Sequence, residues 1–295
     1  MAGVHDPEIY QHVLNSLHTA VYVVDRERKI TFWNQGAERL TGYMRHEVVG
    51  RLCREELLAY CDDAGTRLEG GNCPLMSALQ EGRAREARVY VRHKSGHRLP
   101  VRVWTHPIRS RDGTIIGAAE SFEEATSILA TERHHSHLAM YGCLDTATGL
   151  PNRGFTASHL RESLSCRAEH HLPFGILRIQ IRDQRQLKES RGREAVEAVL
   201  QVVAQTVRHS LPDAFVGRWE EAQFLAIVSD CSRVDLERAA HDIQSIVGCS
   251  AIRWWGDSLS VEVSVGRAMA EIDDTAESLL ERAQPQPTKE ANRES

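Results

Sequence analysis

Two adjacent carboxylates, Glu220 and Glu221, stand at a polar break between two short apolar segments. The apolar segments predict two strands, so the pair would lie at the tip of a β-hairpin. Carboxylate oxygens suit Mg²⁺, but the sequence shows no second acid opposite the tip. We expect a solvated tip, because charged residues in turns are usually exposed to solvent. The alternatives are a tip that binds a protein or a cation, and a magnesium site that uses Glu220 or Glu221.

Three histidines offer a second candidate for metal chemistry. His134 and His137 would share one face of a helix, with His135 beside them. Two histidines in this arrangement can bind zinc, but the pattern supplies no third ligand. We interpret the segment as a solvated helix face, with metal or haem binding as the alternative.

The seven cysteines include no Cys-x-x-Cys pair. An odd number of unmatched thiols favours a reducing cytoplasm over a disulfide framework or a structural zinc site. Cys53, Cys61 and Cys73 are close enough in sequence for a redox sensor or an iron site. Because unpaired cysteine mostly behaves as a small buried hydrophobe, we expect these three to pack in a core.

The composition limits the class of protein. A chain of 295 residues with 41% hydrophobic and 26% charged residues is typical of soluble globular protein, and its length predicts two domains. A net charge of -5 argues against general binding to nucleic acid or anionic membranes. No apolar run reaches the roughly 18 residues of a membrane span, and the first residues lack the pattern of a signal peptide.

The first half of the sequence predicts a series of short strands separated by helical and irregular segments. Residues 35–80 are predicted to be helical and irregular, with glycines as breaks. Residues 123–144 contain helix formers and no proline, which predicts a connecting helix. The order of strands and helices predicts a small antiparallel sheet with helices on one face. The predicted strands are 20–24, 30–33, 88–91, 99–104 and 115–122.

The second half alternates strands and helices, so the whole chain belongs to the α+β class. The hairpin with Glu220 and Glu221 lies in its middle. The tail after the last helix is polar and interrupted by proline, which predicts disorder. The predicted elements are strand 174–181, helix 194–211, hairpin 215–228, helix 234–247, strand 259–268 and helix 275–283.

Three segments of the first half carry a resemblance to a known family. They are the strand-to-helix run 30–43, the turn 94–97 and the closing segment 112–117. Over residues 8–122 the chain resembles a PAS sensor domain, which implies a five-stranded antiparallel sheet. PAS domains hold haem, flavin, small acids or nothing, so the resemblance leaves the ligand open and we assign no cofactor.

Three segments of the second half carry another resemblance. Residues 145–153 have the sequence Asp-Thr-Ala-Thr-Gly-Leu-Pro-Asn-Arg, and the hairpin and the run 264–268 also match. The half resembles a GGDEF domain, the family that condenses two GTP into cyclic di-GMP. The resemblance implies a nucleotidyl-cyclase-like α/β domain around a mostly antiparallel central sheet.

The family's Gly-Gly-Asp-Glu-Phe signature stands here as Glu220-Glu221-Ala222-Gln223-Phe224. The two glycines let the hairpin backbone approach a triphosphate, whereas carboxylates obstruct and repel it. Ala222 and Gln223 replace two acids, and the metal-binding aspartate at the end of the first strand is Gln180. Because Mg²⁺ requires oxygen ligands, the resemblance implies a domain without catalytic residues.

Other positions of the family's site differ as well. Arg182 replaces a second aspartate, and Lys188 replaces the asparagine that binds guanine. Arg185 and Glu197 are conservative replacements, while the feedback motif Arg-x-x-Asp falls on residues 211–214 without a match. The residual nucleotide contacts that the resemblance leaves are Asn152, Arg185, Lys188 and Glu197.

The resemblances together predict a cytoplasmic bacterial signalling protein with a PAS sensor and an inactive GGDEF-like output domain. The output would be protein interaction or nucleotide sensing, with GTP or cyclic di-GMP as the ligand. We expect a homodimer through the PAS domain and linker helix, and a protein partner in the pathway. The alternative is a weak or atypical diguanylate cyclase that uses Mg²⁺. The predicted division is extension 1–7, PAS domain 8–122, linker 123–144, degenerate GGDEF domain 145–285 and disordered tail 286–295.

Overall fold

A computed structural model describes residues 7–53, 57–68, 73–125 and 142–285. The chain forms two compact units, divided between Thr126 and Ser127, and each unit has its own core. Most of the predicted linker helix, including its three histidines, and the predicted tail lie outside the described residues. The domain limits derived from the sequence therefore stay a prediction.

The first unit is built on a five-stranded antiparallel sheet in the order β2-β1-β5-β4-β3, as the sequence predicts. Strand β5 continues two residues beyond the predicted end of the PAS domain. The elements are α1 Pro7–Ser16, β1 Ala20–Asp25, β2 Ile30–Trp33, α2 Gln35–Thr41, α3 Arg45–Val48, α4 Pro74–Glu81, β3 Arg85–Arg92, β4 Arg98–Arg109 and β5 Ile115–Glu124.

Alternating side chains explain why this sheet has one buried face. Val101 and Val103 on β4 are fully buried, whereas Arg102 between them is exposed. The helical layer is joined to the sheet by Asn34, whose side-chain oxygen accepts hydrogen bonds from Val21 N and Ala37 N at 2.8 Å each. Asn34 therefore caps α2 and fixes it against β1.

A carboxyl group lies in the centre of this core. Glu120 on β5 is fully buried, and its two oxygens accept hydrogen bonds from the Tyr60 hydroxyl and, at 2.9 Å, from the Thr105 hydroxyl. The Tyr22 hydroxyl lies 3.3 Å from that of Tyr60 and extends the network. Burial raises the pKa of Glu120, because the core disfavours the charged form.

The second unit contains a four-stranded antiparallel sheet in the order β11-β6-β8-β7 and a separate hairpin, β9-β10. These strands and helices confirm the predicted α+β class. The elements are α5 Arg153–His170, β6 Phe174–Ile181, α6 Gln184–Arg191, α7 Arg193–Ser210, β7 Phe215–Glu220, β8 Gln223–Ser229, α8 Arg233–Gly248, β9 Ala251–Trp254, β10 Asp257–Ser260, β11 Val263–Met269 and α9 Ala276–Arg282.

The prediction of one strand over residues 259–268 is wrong. Leu259 pairs with Ile252 in the β9-β10 hairpin, whereas Val263 pairs with Ile181 in the main sheet. The chain changes sheets at Val261 and Glu262, where the Glu262 carbonyl accepts a hydrogen bond from Arg182 N at 3.0 Å. The alternation of apolar and polar residues continues through this change of pairing partner, so local periodicity does not reveal it.

The last helix depends on a close backbone approach. A Cβ added at Gly266 on β11 would overlap the Ala283 carbonyl oxygen and the backbone that follows it. Glycine at this position therefore lets the carboxyl end of α9 reach the sheet. Thr275 caps the helix by accepting a hydrogen bond from Ser278 N at 3.2 Å. In the described ranges, no helix is both long and apolar enough to cross a membrane.

Candidate functional site

The segment 145–153 is a closed turn that prepares the start of α5. Asp145 Oδ1 accepts hydrogen bonds from Thr148 N at 3.0 Å and Thr148 Oγ1 at 2.7 Å. Gly149 has a φ of 70°, which a residue with a side chain adopts less readily. Asn152 then caps α5 by accepting a hydrogen bond from Phe155 N at 3.1 Å.

Asn152 has a structural role in this turn. Its oxygen caps the helix, and its Nδ2 donates to the Gly142 carbonyl at 3.0 Å. Both ends of the amide are thus engaged within the protein. The neighbouring Pro151 carbonyl accepts a hydrogen bond from Arg218 N at 2.7 Å, so the turn holds strand β7. A nucleotide contact by Asn152 stays a prediction.

The hairpin tip keeps its shape without glycine. None of the residues from Glu220 to Gln223 has a positive φ, so side chains fit this turn without backbone strain. Arg218 stabilises the turn because its Nε donates to the Glu220 carbonyl at 2.7 Å and its Nη2 donates to the Glu221 carbonyl. The guanidinium also lies over the Phe224 ring, 5.4 Å from its centroid.

Arg218 joins this tip to the 145–153 turn. Its Nη1 lies 4.0 Å from Asp145 Oδ1, and both side chains are largely shielded from solvent. Burial lowers the pKa of Arg218, while the charges of Asp145 and Glu221 oppose that shift. Sequence reasoning treated Arg218 only as part of the family's hairpin, whereas the structure shows that it maintains the hairpin's shape.

Gln180 lies at the end of β6, directly opposite Gln223 on β8. Its Nε2 donates to the Ile181 carbonyl at 3.0 Å and points toward the Ala222 carbonyl at 3.3 Å. Two acceptors on the same side fix the orientation of the amide, with the NH₂ group between them. An uncharged donor therefore bridges the two strand ends.

This arrangement does not fit a magnesium ion. Mg²⁺ requires several oxygen ligands, usually including carboxylates. Here the two carbonyls already accept hydrogen bonds from Gln180, and Ala222, which is buried, has no ligand atom in its side chain. Among the described residues, no three His, Cys, Asp or Glu side chains gather as a metal site.

Arg178 completes this network and was missed by sequence reasoning. Its Nη2 donates to Gln223 Oε1 and its Nη1 donates to the Leu280 carbonyl, each at 2.9 Å. Arg178 therefore links β6, β8 and the last helix. In the sequence, Arg178 is marked only as the single cation within the apolar strand 174–181. Its hydrogen-bond partners lie 45 and 102 residues further along the chain, so the sequence does not reveal them.

The polar side chains of α6 and α7 lie beside this network but do not form one cluster. Lys188 Nζ lies 3.9 Å from Glu221 Oε1, and both groups are exposed. Glu197 accepts a hydrogen bond from Arg193 Nε at 2.8 Å. Arg185 is exposed on α6. Of the predicted nucleotide contacts, only Lys188 is brought to the hairpin tip by a contact described here.

The first unit contains a small interior cavity. Its volume is about 20 Å³, and its lining includes Tyr22, Arg28, Cys53, Tyr60 and Cys73. Such a space holds one water molecule and is far below the roughly 300–1,000 Å³ of ligand pockets. Cys53 and Cys73 are thus core residues, and burial raises the pKa of both thiols.

Comparison with known proteins gives a family match for each of the two units. Residues 143–294 match the family "Diguanylate cyclase, GGDEF domain", and residues 8–120 match the PAS fold. The GGDEF match covers more than half of the chain. The chain therefore belongs to the GGDEF family, and a PAS domain precedes its GGDEF domain.

Two curated relatives are described as diguanylate cyclases. The chain is 27% identical over 262 residues to the probable diguanylate cyclase DgcE of Escherichia coli, a match that covers 88% of this chain. It is 25% identical over 156 residues to the diguanylate cyclase DgcP of Pseudomonas aeruginosa, which covers 50% of this chain. In each case the match spans only 23% of the relative.

Solved structures include relatives of each unit. The diguanylate cyclase SiaD of Pseudomonas aeruginosa, solved with its activator SiaC, is 24% identical with a TM-score of 0.48 and covers 52% of this chain and 61% of that one. A PAS domain from Colwellia psychrerythraea is 20% identical with a TM-score of 0.34 and covers 40% of this chain and 94% of its own.

Proposed function

We propose that this chain is a cytoplasmic signalling protein whose GGDEF domain does not synthesise cyclic di-GMP. The carrying observation is the amide of Gln180, which donates to the Ile181 carbonyl and reaches the Ala222 carbonyl where a cation would need oxygen ligands. Metal-assisted phosphoryl transfer depends on precisely placed charge. The side chains of Gln180, Ala222 and Gln223 carry no charge.

The preserved shape of the domain supports a role in protein interaction. Arg218 holds the hairpin tip through two turn carbonyls, so the altered signature still forms a defined surface. Glu220 and Glu221 project from that surface into solvent. The seven cysteines, all within the described ranges, form no disulfide, which supports a reducing compartment.

Incubation of the purified full-length chain with GTP and either Mg²⁺ or Mn²⁺ tests the proposal. We expect no cyclic di-GMP above a protein-free blank by mass spectrometry, because the site lacks acidic metal ligands. An active diguanylate cyclase in the same buffer serves as the positive control. Product in excess of one molecule per chain would contradict the proposal and favour a weak or atypical cyclase.

Nucleotide sensing without turnover is a second candidate. It is favoured by Arg185 and Lys188, two exposed cations on α6, the second of which reaches the hairpin tip. Calorimetric titration with GTP and with cyclic di-GMP tests it. Binding that disappears in Arg185→Ala and Lys188→Ala would support sensing, whereas absence of heat at high micromolar nucleotide would eliminate it.

We further propose that the chain forms a homodimer through its PAS domain. Helix α1 exposes an apolar stripe formed by Ile9, Tyr10 and Val13, and Leu17 is exposed directly after the helix. Residues spaced three and four apart occupy one helix face, so the stripe is continuous. Such a face on a short helix is expected to be covered in the assembled protein.

Substitution of Val13 by aspartate is expected to weaken dimerisation at least about 10-fold, because a charge in an apolar interface must be desolvated. Val13 is 54% exposed in the single chain, so the substitution should leave the fold intact. Sedimentation equilibrium measures the effect. Leu172→Asp, at a position 57% exposed in the second unit, is the matched control. Equal association of both variants would contradict the assignment to α1.

A further inference from the structure

The turn between β3 and β4 holds two histidines face to face. His93 and His97 flank this turn, and the His93 N–H donates a hydrogen bond to the His97 carbonyl at 2.9 Å. Their imidazole rings are stacked, with centroids 4.5 Å apart and planes inclined by 23°. Neutral imidazole is the commonest metal ligand among protein side chains. The turn therefore places two metal-binding groups side by side.

The Ser95 hydroxyl joins the two rings. Its Oγ lies 2.7 Å from His93 Nδ1 and 2.9 Å from His97 Nδ1. The Ser95 backbone N–H also donates to His93 Nδ1 at 3.1 Å, so this nitrogen carries a lone pair. Burial lowers the pKa of His93 from its ordinary value of 6.5, which keeps the ring neutral at pH 7. Two imidazole nitrogens and one hydroxyl oxygen thus converge within the turn.

Contacts with the helical layer hold this turn in place. Lys94 N donates to the Thr41 carbonyl at 2.8 Å, and Lys94 Nζ donates to the Glu47 carboxylate at 2.6 and 2.8 Å. The same carboxylate offsets the charge of Lys94, which would otherwise repel a cation. A Cβ added at Gly42 would lie 2.6 Å from His93 Nε2, so the ring packs against the end of α2. Groups that are already ordered lose less entropy when they bind a ligand.

We propose that His93, Ser95 and His97 form a binding site for a divalent transition-metal ion such as Zn²⁺. Imidazole nitrogen suits this class of ion, whereas Mg²⁺ and Ca²⁺ prefer oxygen. Ligands of a tetrahedral ion with bonds of about 2.0–2.1 Å lie about 3.3 Å apart. The two distances from Ser95 Oγ are within about 0.6 Å of that spacing, so small movements of the side chains admit the ion.

Binding rearranges protons within the turn. At a pH where both rings are neutral, His97 takes the tautomer with its proton on Nε2, so that both Nδ1 atoms offer lone pairs. The hydroxyl proton of Ser95 turns away from the ion, and water fills the remaining coordination position. With two imidazoles and one hydroxyl, the site is weaker than a structural site with four protein ligands. The inference does not depend on whether the GGDEF domain is active.

Chemical footprinting of the full-length wild-type chain tests the site. Diethyl pyrocarbonate acylates imidazole nitrogens that carry a lone pair, and a bound ion blocks this reaction. At a Zn²⁺ concentration about ten times the dissociation constant, we expect modification of His93 and His97 to slow together about 10-fold and to recover with EDTA. Mass spectrometry of peptides measures the rates. The exposed His106 on β4 is the internal control. Equal protection of His106, or no protection of the pair at about 1 mM Zn²⁺, would overturn the proposal.

A stronger third ligand distinguishes converging donors from two independent histidines. Thiolate binds Zn²⁺ more strongly than a hydroxyl oxygen does, so Ser95→Cys should raise the Zn²⁺ affinity at least about 10-fold in calorimetric titrations. Ser110→Cys, in the turn between β4 and β5, is the matched control and should leave the affinity unchanged. An equal gain in both variants, or no gain in either, would contradict the proposed site.

Removal of either ring in the Ser95→Cys background identifies the nitrogen ligands. Addition of His93→Ala or of His97→Ala should cancel the gain in Zn²⁺ affinity, because each substitution removes one of three ligands. His106→Ala in the same background should retain the gain. If affinity stays high without His93 and His97, the new thiolate binds Zn²⁺ with other groups and the proposal is wrong. The footprint of the wild-type chain decides the question even where a double variant fails to fold.

Discussion

Substitution of Gln180 by aspartate together with Gln223 by glutamate is expected to create affinity for Mn²⁺ or Mg²⁺ at about 1 mM. The two positions are directly opposed on β6 and β8. Removal of the Gln180 amide also removes one hydrogen bond from each of the Ile181 and Ala222 carbonyls. The Ala222 carbonyl still accepts a bond from Ile181 N at 2.9 Å, but a carbonyl oxygen has a second lone pair for a cation. Two carboxylates and two carbonyls would then provide the hard oxygen ligands that both ions prefer.

The same variant should be less stable than the wild-type chain in metal-free buffer. Like charges on opposed strands destabilise a sheet by up to about 1 kcal/mol, and the contact of Arg178 with position 223 offsets part of that repulsion. Added Mn²⁺ should recover the loss, because an ion that binds only the folded state raises the melting temperature. Calorimetric titration and thermal melts with and without Mn²⁺ measure the two effects.

A matched control places the same acids at a pair without nearby turn carbonyls. Arg88 on β3 and Arg102 on β4 are directly opposed and exposed. Because Glu86 lies 3.8 Å from Arg102 and would add a third carboxylate, it is changed to Gln in the control. Arg88→Asp with Arg102→Glu in that background should show no comparable response to Mn²⁺. If the Gln180 and Gln223 variant folds but responds no more than this control, the carbonyls do not converge on a cation position as the geometry indicates.

Several elements could be predicted from sequence because their signals are local. Strands 30–33 and 174–181 were predicted with the bounds found, since both are apolar runs between polar turns. Helix α6 was missed because Leu187 is its single large apolar residue. The division of 259–268 was missed because it depends on which strand each segment pairs with, a tertiary property.

The candidate site shows the same limit. The polar break at Glu220 and Glu221 predicted the hairpin tip, and the structure places Gln180 opposite its base. The contacts of Arg178 were not predictable, because they join residues far apart in the chain. The exposure of Trp255 was equally hidden, since a tryptophan in an apolar segment usually indicates burial.

The buried carboxyl of the PAS domain should make stability depend on pH. The pKa of Glu120 is raised above its ordinary value of 4.5 by burial. As pH rises past that value, the unfolded chain releases its proton before the folded chain does. The free energy of unfolding therefore falls until the folded carboxyl also ionises. Its contribution to stability is most favourable at low pH.

Glu120→Gln should remove this dependence. The amide oxygen can accept the Tyr60 bond, and the amide NH₂ can donate to the Thr105 hydroxyl in place of the present bond. Relative to the wild type, the variant is expected to gain roughly 1–3 kcal/mol in unfolding free energy between pH 4 and pH 8. Hydrogen exchange of amides in β1, β4 and β5 measures the PAS domain within the full-length chain.

Glu123→Gln on the same strand separates burial from the loss of a charge. Glu123 is exposed and accepts a hydrogen bond from Thr19 at 2.6 Å. Its substitution removes the same formal charge from a solvated position, so stability relative to the wild type should change little with pH. Parallel curves for the two variants, or a Glu120→Gln chain that loses stability as pH rises, would show that Glu120 does not keep its proton in the core.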